Sequence, residues 1–228
     1  MTDPQAPAPR RRRPAGGYAK ADETREKMIM AALRVFADEG FEKASTRRIA
    51  AEAGVTPPVL QYHFDSKEGL HRACGEYLVA QIMGRLAPVL DRAAGAADPD
   101  AAVEVLCELM TTLASAGMGR VNMAEWKLFM ARADAETAGP ARAVVEAGVA
   151  EPIMRAALLL VARALGLPPE SEEARLRAML LMSQVSVVTA RRQRTLDVMG
   201  WSEFDEAAQA GVNAILVDHV RRLTSRGA

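Results

Sequence analysis

The residues best suited to chemistry lie between Ser45 and Lys67, and the chemistry is recognition. Ser45, Thr46, Arg47 and Arg48 offer hydroxyl and guanidinium donors in one unbroken run, the group types that hold phosphate oxygens. Thr56, Pro57, Pro58, Gln61, Tyr62 and His63 follow a little further on. A glutamine can bridge two atoms of an adenine edge, while hydroxyl, phenol and imidazole groups reach phosphate oxygens. Tyr62 and His63 have a second reading, as core or structural side chains. Lys67 closes the set as an ammonium free to pair with a phosphate. Bond-making chemistry has no comparable arrangement. His63, His71 and His219 are not at metal-ligand spacing, Cys74 and Cys107 form no CxxC pair, and GxSxG, HExxH and glycine-rich phosphate loops are missing from the sequence. The expectation is therefore no catalytic residue, no metal, no cofactor and no enzymatic activity, with both thiols acting as buried hydrophobes in a reduced, intracellular protein.

Two short helices must position these groups. Ile49 and Ala53 share one helical face, and Gly54 can take the left-handed conformation that ends a helix. Thr56 then caps a second helix through its hydroxyl, Pro57 stands at the first helical position, and Leu60 and Phe64 anchor this helix from one side. A preceding helix over residues 22–39 carries Ile29, Leu33 and Phe36, with Gly40 as its end, and supports the pair. Asp65 starts a long helix, with Glu68 as the answering acid of a capping box and Pro88 as a kink or stop.

Composition agrees with an all-helical chain. Of 228 residues, 50% are hydrophobic and 25% charged, enough to bury one small and one larger core. Strand-like alternation is scarce. The net charge is zero, yet residues 1–72 carry 13 of the 29 basic side chains and 10 of the 29 acidic ones. That excess at one end suits a nucleic-acid partner. The most apolar run, Ala156 to Leu167, is broken by Arg163 and is shorter than the ~20 residues that span a bilayer. Residues 1–17 are rich in Pro, Ala and Gly and read as disordered; Arg10 to Arg13 form either a DNA-reaching arm or a solvated tail.

The stretch from Thr24 to Leu70 resembles the N-terminal domain of TetR-family transcriptional regulators. The likeness rests on FADEGF, on TRRIAAEAGV and on LQYHFDSKEGL. Two departures touch base preference: Gln61 stands where the family often has tyrosine, and Pro57-Pro58 replaces small or basic residues. The resemblance implies an all-α fold: an arm over residues 1–20, a three-helix helix-turn-helix domain over 21–66, and a larger helical domain over 67–228. That larger domain would enclose a small-molecule pocket and form a homodimer through residues 172–191 and 203–223. Met110, Asn122, Met123, Trp126, Phe129, Met130 and Met182 supply thioethers, rings and an amide suited to a small apolar or aromatic effector. The implied function is a cytoplasmic, nucleoid-associated bacterial repressor on a palindromic operator in double-stranded DNA, released by its effector. The rival reading is a DNA-associated protein-interaction module that senses no small molecule.

Overall fold

A computed structural model describes residues 16–115, 128–129, 132, 139–189 and 191–225. All regular structure among them is helical. α1 (Gly16–Lys43), α2 (Thr46–Glu52) and α3 (Pro57–Phe64) form the first unit, and α4 (Lys67–Gly95) leads out of it. α5 (Pro99–Ser115), α6 (Ala141–Val145), a π-helical turn (Glu146–Ala150), α7 (Glu151–Leu165), α8 (Glu172–Val188), α9 (Arg192–Met199) and α10 (Glu206–Thr224) make up the rest. α1 starts at Gly16, so residues 16–20 are helical although composition assigned them to the arm. Extending a formed helix costs little once it is nucleated. α9 was missed because its sequence, RQRTLDVM, has little apolar periodicity.

Several starts and stops differ in detail from the sequence reading. The cap of α4 is Ser66, whose Oγ accepts from the Gly69 N–H at 3.0 Å, rather than Asp65. Asp65 instead turns the chain with φ 61°. Thr56 precedes α3 in extended conformation, but its hydroxyl makes no capping bond; Pro58 has removed one of the two N–H groups that such a cap would serve, and the other, on Val59, donates to the Thr56 carbonyl at 3.0 Å. α4 runs through Pro88 without ending. Pro88 is exposed, so water can satisfy the carbonyl left without its helical partner.

Two cores result. One gathers Ile29, Leu33, Phe36, Phe41, Ile49, Leu60, Phe64, Leu70 and Leu78. The other gathers Leu86, Leu106, Leu109, Met110, Leu160, Val161, Leu181 and Leu216. The π-turn follows from the phase of the apolar residues. Ala141 and Val145 are buried on α6, and Ile153, Ala156, Ala157, Leu160, Val161 and Ala164 on α7. In an uninterrupted α-helix the two stripes would be about 100° apart, one residue's rotation. A π-turn holds one extra residue and removes that rotation, so both stripes face inward.

The joint between α4 and α6 is tight. A Cβ on Gly75 would lie 3.1 Å from the Ala141 carbonyl oxygen, and one on Gly139 2.7 Å from His71 Cε1. Gly139 also has φ 105°, a conformation that side chains resist. Gly139→Ala should therefore destabilise the protein by roughly 2–4 kcal/mol, read as a lowered urea midpoint with an unchanged slope.

Candidate nucleic-acid interface

Local hydrogen bonding shapes the α2–turn–α3 unit. Ser45 Oγ accepts from the Arg48 N–H at 3.2 Å and starts α2. At its end the Gly54 N–H donates to the Ala51 carbonyl at 3.1 Å and the Val55 N–H to the Ala50 carbonyl at 2.9 Å. With Gly54 at φ 68°, this is the paired closure that reverses a chain after a helix. Leu60 and Phe64 are buried, and Arg25 lies over the Phe64 ring at 5.2 Å. That anchors α3 by one side and leaves the other in solvent.

The exposed side holds most of the expected contacts. Thr56, Pro57, Pro58 and Gln61 are exposed, His63 is partly so, and Tyr62 is 84% exposed. Tyr62 is thus not a core residue; its ring meets the edge of His63 at 5.5 Å. Val59, 38% exposed, joins this face; as an aliphatic residue it escaped a search for polar groups, although apolar contact with thymine methyls is a recognised mode. The Gln61 amide donates to the Asp65 carbonyl, which leaves its Oε1 to accept from a base. Thr46 and Arg47 stand in the first turn of α2, where the helix dipole favours an anion, and Arg47 has no hydrogen bond or ion pair among the described residues. Arg48 is held by Glu39 at 2.8 Å.

Lys67 is not free for phosphate. Its Nζ donates to the carbonyls of Phe41 at 2.8 Å, Glu42 at 3.2 Å and Ala44 at 3.4 Å, and lies 4.5 Å from the Phe41 ring centroid. An ammonium has three donors, and carbonyls of the last turn of α1 and of Ala44 take all three. Beside it, the Glu68 carboxyl is lowered by its own backbone N–H and by the Ser66 hydroxyl.

The second half of the chain reaches into this unit. His71 is 3% exposed and sits among Phe36, Phe41 and Phe129, with ring centroids 4.8, 4.7 and 5.1 Å away. Its Nδ1 accepts from the Ala141 N–H at 3.3 Å. Burial pushes this imidazole down to about 4, and the Lys67 charge adds to the effect. Arg132 donates from Nε to the Ala37 carbonyl at 2.6 Å and from Nη2 to the Asp38 carbonyl at 2.8 Å. Of the residues expected to line an effector pocket, Phe129 therefore belongs to the first core, because a ring of aromatic partners there is complete only with it. Met110 is fully buried in the second core and Met182 packs against it. Asn122, Met123, Trp126 and Met130 lie outside the described residues.

A three-helix unit whose third helix follows a tight turn and is exposed on one side, joined to a larger helical body, has the form of a helix-turn-helix protein. Comparison with known proteins carries this further. Residues 29–74 match the family described as bacterial regulatory proteins, tetR family, and residues 102–227 match the C-terminal domain of the HTH-type transcriptional dual regulator CecR. The CecR regulator of Shigella flexneri is 27% identical over 88% of this chain and 91% of its own length. The transcriptional activator FasR of Mycolicibacterium smegmatis is 42% identical over 32% of this chain, a match that spans 36% of FasR. In fold, the chain is similar to FadR of Bacillus subtilis, solved with stearoyl-CoA (TM-score 0.59, 16% identity, 84% of this chain, 97% of that one). It is likewise similar to AibR, solved with isovaleryl coenzyme A and operator DNA (TM-score 0.58, 21% identity, 86% and 97%). The chain belongs to the TetR family of DNA-binding transcriptional regulators, with a C-terminal domain of the CecR type.

Two outcomes follow for the seam. Lys67→Met should lower the melting temperature while changing the slope of log affinity against log salt for DNA by less than one unit, since no phosphate contact is lost. His71 titrates lower folded than unfolded, so the unfolded chain binds the extra proton. Its contribution is complete above about pH 6.5 and is lost as pH falls toward 4, a change on the order of 3 kcal/mol. His71→Phe should flatten that part of a urea-stability profile.

Proposed function

We propose that this chain is a homodimeric, ligand-responsive repressor that binds an inverted-repeat operator and leaves it when a small molecule occupies the C-terminal domain. The observation that carries the reading is the seam: Phe129, Arg132 and Ala141 from the C-terminal part complete the core and cap the carbonyls of the DNA-binding part. A shift of the C-terminal helices then changes the setting of α3. Leu176, Met179 and Leu180 on α8 and Ile215 on α10 are 51%, 58%, 63% and 57% exposed. Apolar side chains at that density support a symmetric dimer through these two helices. The acyl-CoA ligands of FadR and AibR support a metabolite effector, at fold level. Thr46, Arg47 and the α2 N-terminus would hold phosphate, and Gln61, Tyr62 and Val59 would meet base edges.

Selection of bound duplexes from a random pool at fixed salt tests the reading. The expected product is an inverted repeat with half-sites about one turn, ~34–36 Å, apart. Arg47→Ala should weaken all duplexes alike and reduce the salt slope by about 1, whereas Gln61→Ala should change the preferred base at one position per half-site. Recovery of no sequence by a folded dimer would favour the protein-interaction reading.

A further inference from the structure

The side of α3 that stands farthest from the protein is apolar. Successive helical residues are turned by about 100°, which places Tyr62 about 160° from each of the buried anchors, Leu60 on one hand and Phe64 on the other. Tyr62 therefore points straight outward, in keeping with its 84% exposure. Pro58 and Val59 lie next to it around the helix, about 40° and 60° to either side, and both are exposed. Gln61 and His63 are turned about 100° away, one on each flank. A pyrrolidine ring, an isopropyl group and a phenol ring form the crest of the helix, with an amide and an imidazole on its slopes.

The first turn of α3 is also poor in donors. Pro57 and Pro58 carry no N–H, and that of Val59 donates to the Thr56 carbonyl at 3.0 Å. The N–H groups of a first turn are ordinarily the ones left to hold a phosphate; on these three residues none is open. This end of α3 can lie over base edges without giving up a backbone contact to phosphate. The prolines fix their own φ, and the Tyr62 ring is held against the edge of His63 at 5.5 Å, so the crest has little freedom to lose on binding. Among the groups that base pairs show in the major groove, the thymine methyl is the apolar one. The rest are hydrogen-bond donors and acceptors, which a proline or valine side chain would strip of water without replacing it.

We infer that the crest of Pro58, Val59 and Tyr62 reads thymine methyl groups, so that each operator half-site holds at least one thymine selected by its methyl and not by its hydrogen bonds. The inference deepens the operator reading above and rests on it. It gives the two prolines a positive role: they withdraw donors from the end of α3 and put apolar surface in their place. Discrimination then has two parts, attraction to the methyl and the cost of pressing an apolar crest against any other base edge.

Uracil in place of thymine tests the inference, because it keeps the hydrogen-bonding groups of the base and lacks only the methyl. The operator recovered by duplex selection is resynthesised with deoxyuridine at one thymine position at a time, in both half-sites together. Binding by the full-length protein is measured at fixed salt. The expected result is one or two positions at which methyl removal weakens binding by about fourfold or more, the scale of one buried methyl per half-site. At each such position one of Val59→Ala, Pro58→Ala and Tyr62→Ala should bring the uracil and thymine duplexes to within about twofold, whereas Arg47→Ala should weaken both and keep their ratio. All three crest positions are exposed, circular dichroism verifies the variants, and the comparison of duplexes by the unaltered protein needs none of them. An operator with no invariant thymine, methyl removal without effect at every position, or methyl dependence undiminished in all three crest variants would overturn the inference and leave the operator reading in place. Recovery of no operator would overturn both.

Discussion

The end of α1 leaves carbonyl oxygens that no helix can satisfy, and the rest of the molecule is arranged around them. Gly40 departs from helical geometry at φ 80°, and a broken helix end must find donors elsewhere. The carbonyls of Ala37 and Asp38 receive Arg132, and those of Phe41, Glu42 and Ala44 receive Lys67. Neither of these two cations belongs to the first unit. One stands at the start of the connecting helix, the other within the C-terminal half. Satisfying one local defect therefore ties three parts of the protein together, and cationic donors near a helix C-terminus gain from its dipole as well.

The aromatic cluster beside this point serves the same end by packing. Phe36 and Phe41 come from the DNA-binding unit, His71 from α4 and Phe129 from the C-terminal half. Removing any one leaves a void shared by the others. Neutral His71 fits because one ring nitrogen accepts from a backbone N–H and the ring is otherwise an aromatic neighbour. The seam is thus packed from both sides, with aromatic rings contributed by each half of the chain.

How much of this was legible in the sequence depended on how far apart the partners lie. The turn at Gly54, the anchors Leu60 and Phe64 and the exposed face of α3 are consequences of neighbours within a few residues, and the pattern of types gave them away. Lys67 was misread because its acceptors lie 23 to 26 residues earlier and are backbone atoms, which leave no mark in residue types. Phe129 was read correctly as apolar and placed in the wrong core, since periodicity tells that a side chain is buried and not against what.

The π-turn between α6 and α7 bears on how such a chain can change over time. A helix holding one residue more than its turns require is the shape left when an insertion has been absorbed without displacing either end. The sequences on its two sides are thereby released from a shared reading frame of faces: Ala141 packs against Gly75 and His71 while the α7 stripe also faces inward, although the two are one residue out of α-helical phase. Length differences among related chains would be stored in that turn, and the contact with the DNA-binding unit would be inherited unaltered while the helices beyond it diverge toward new ligands.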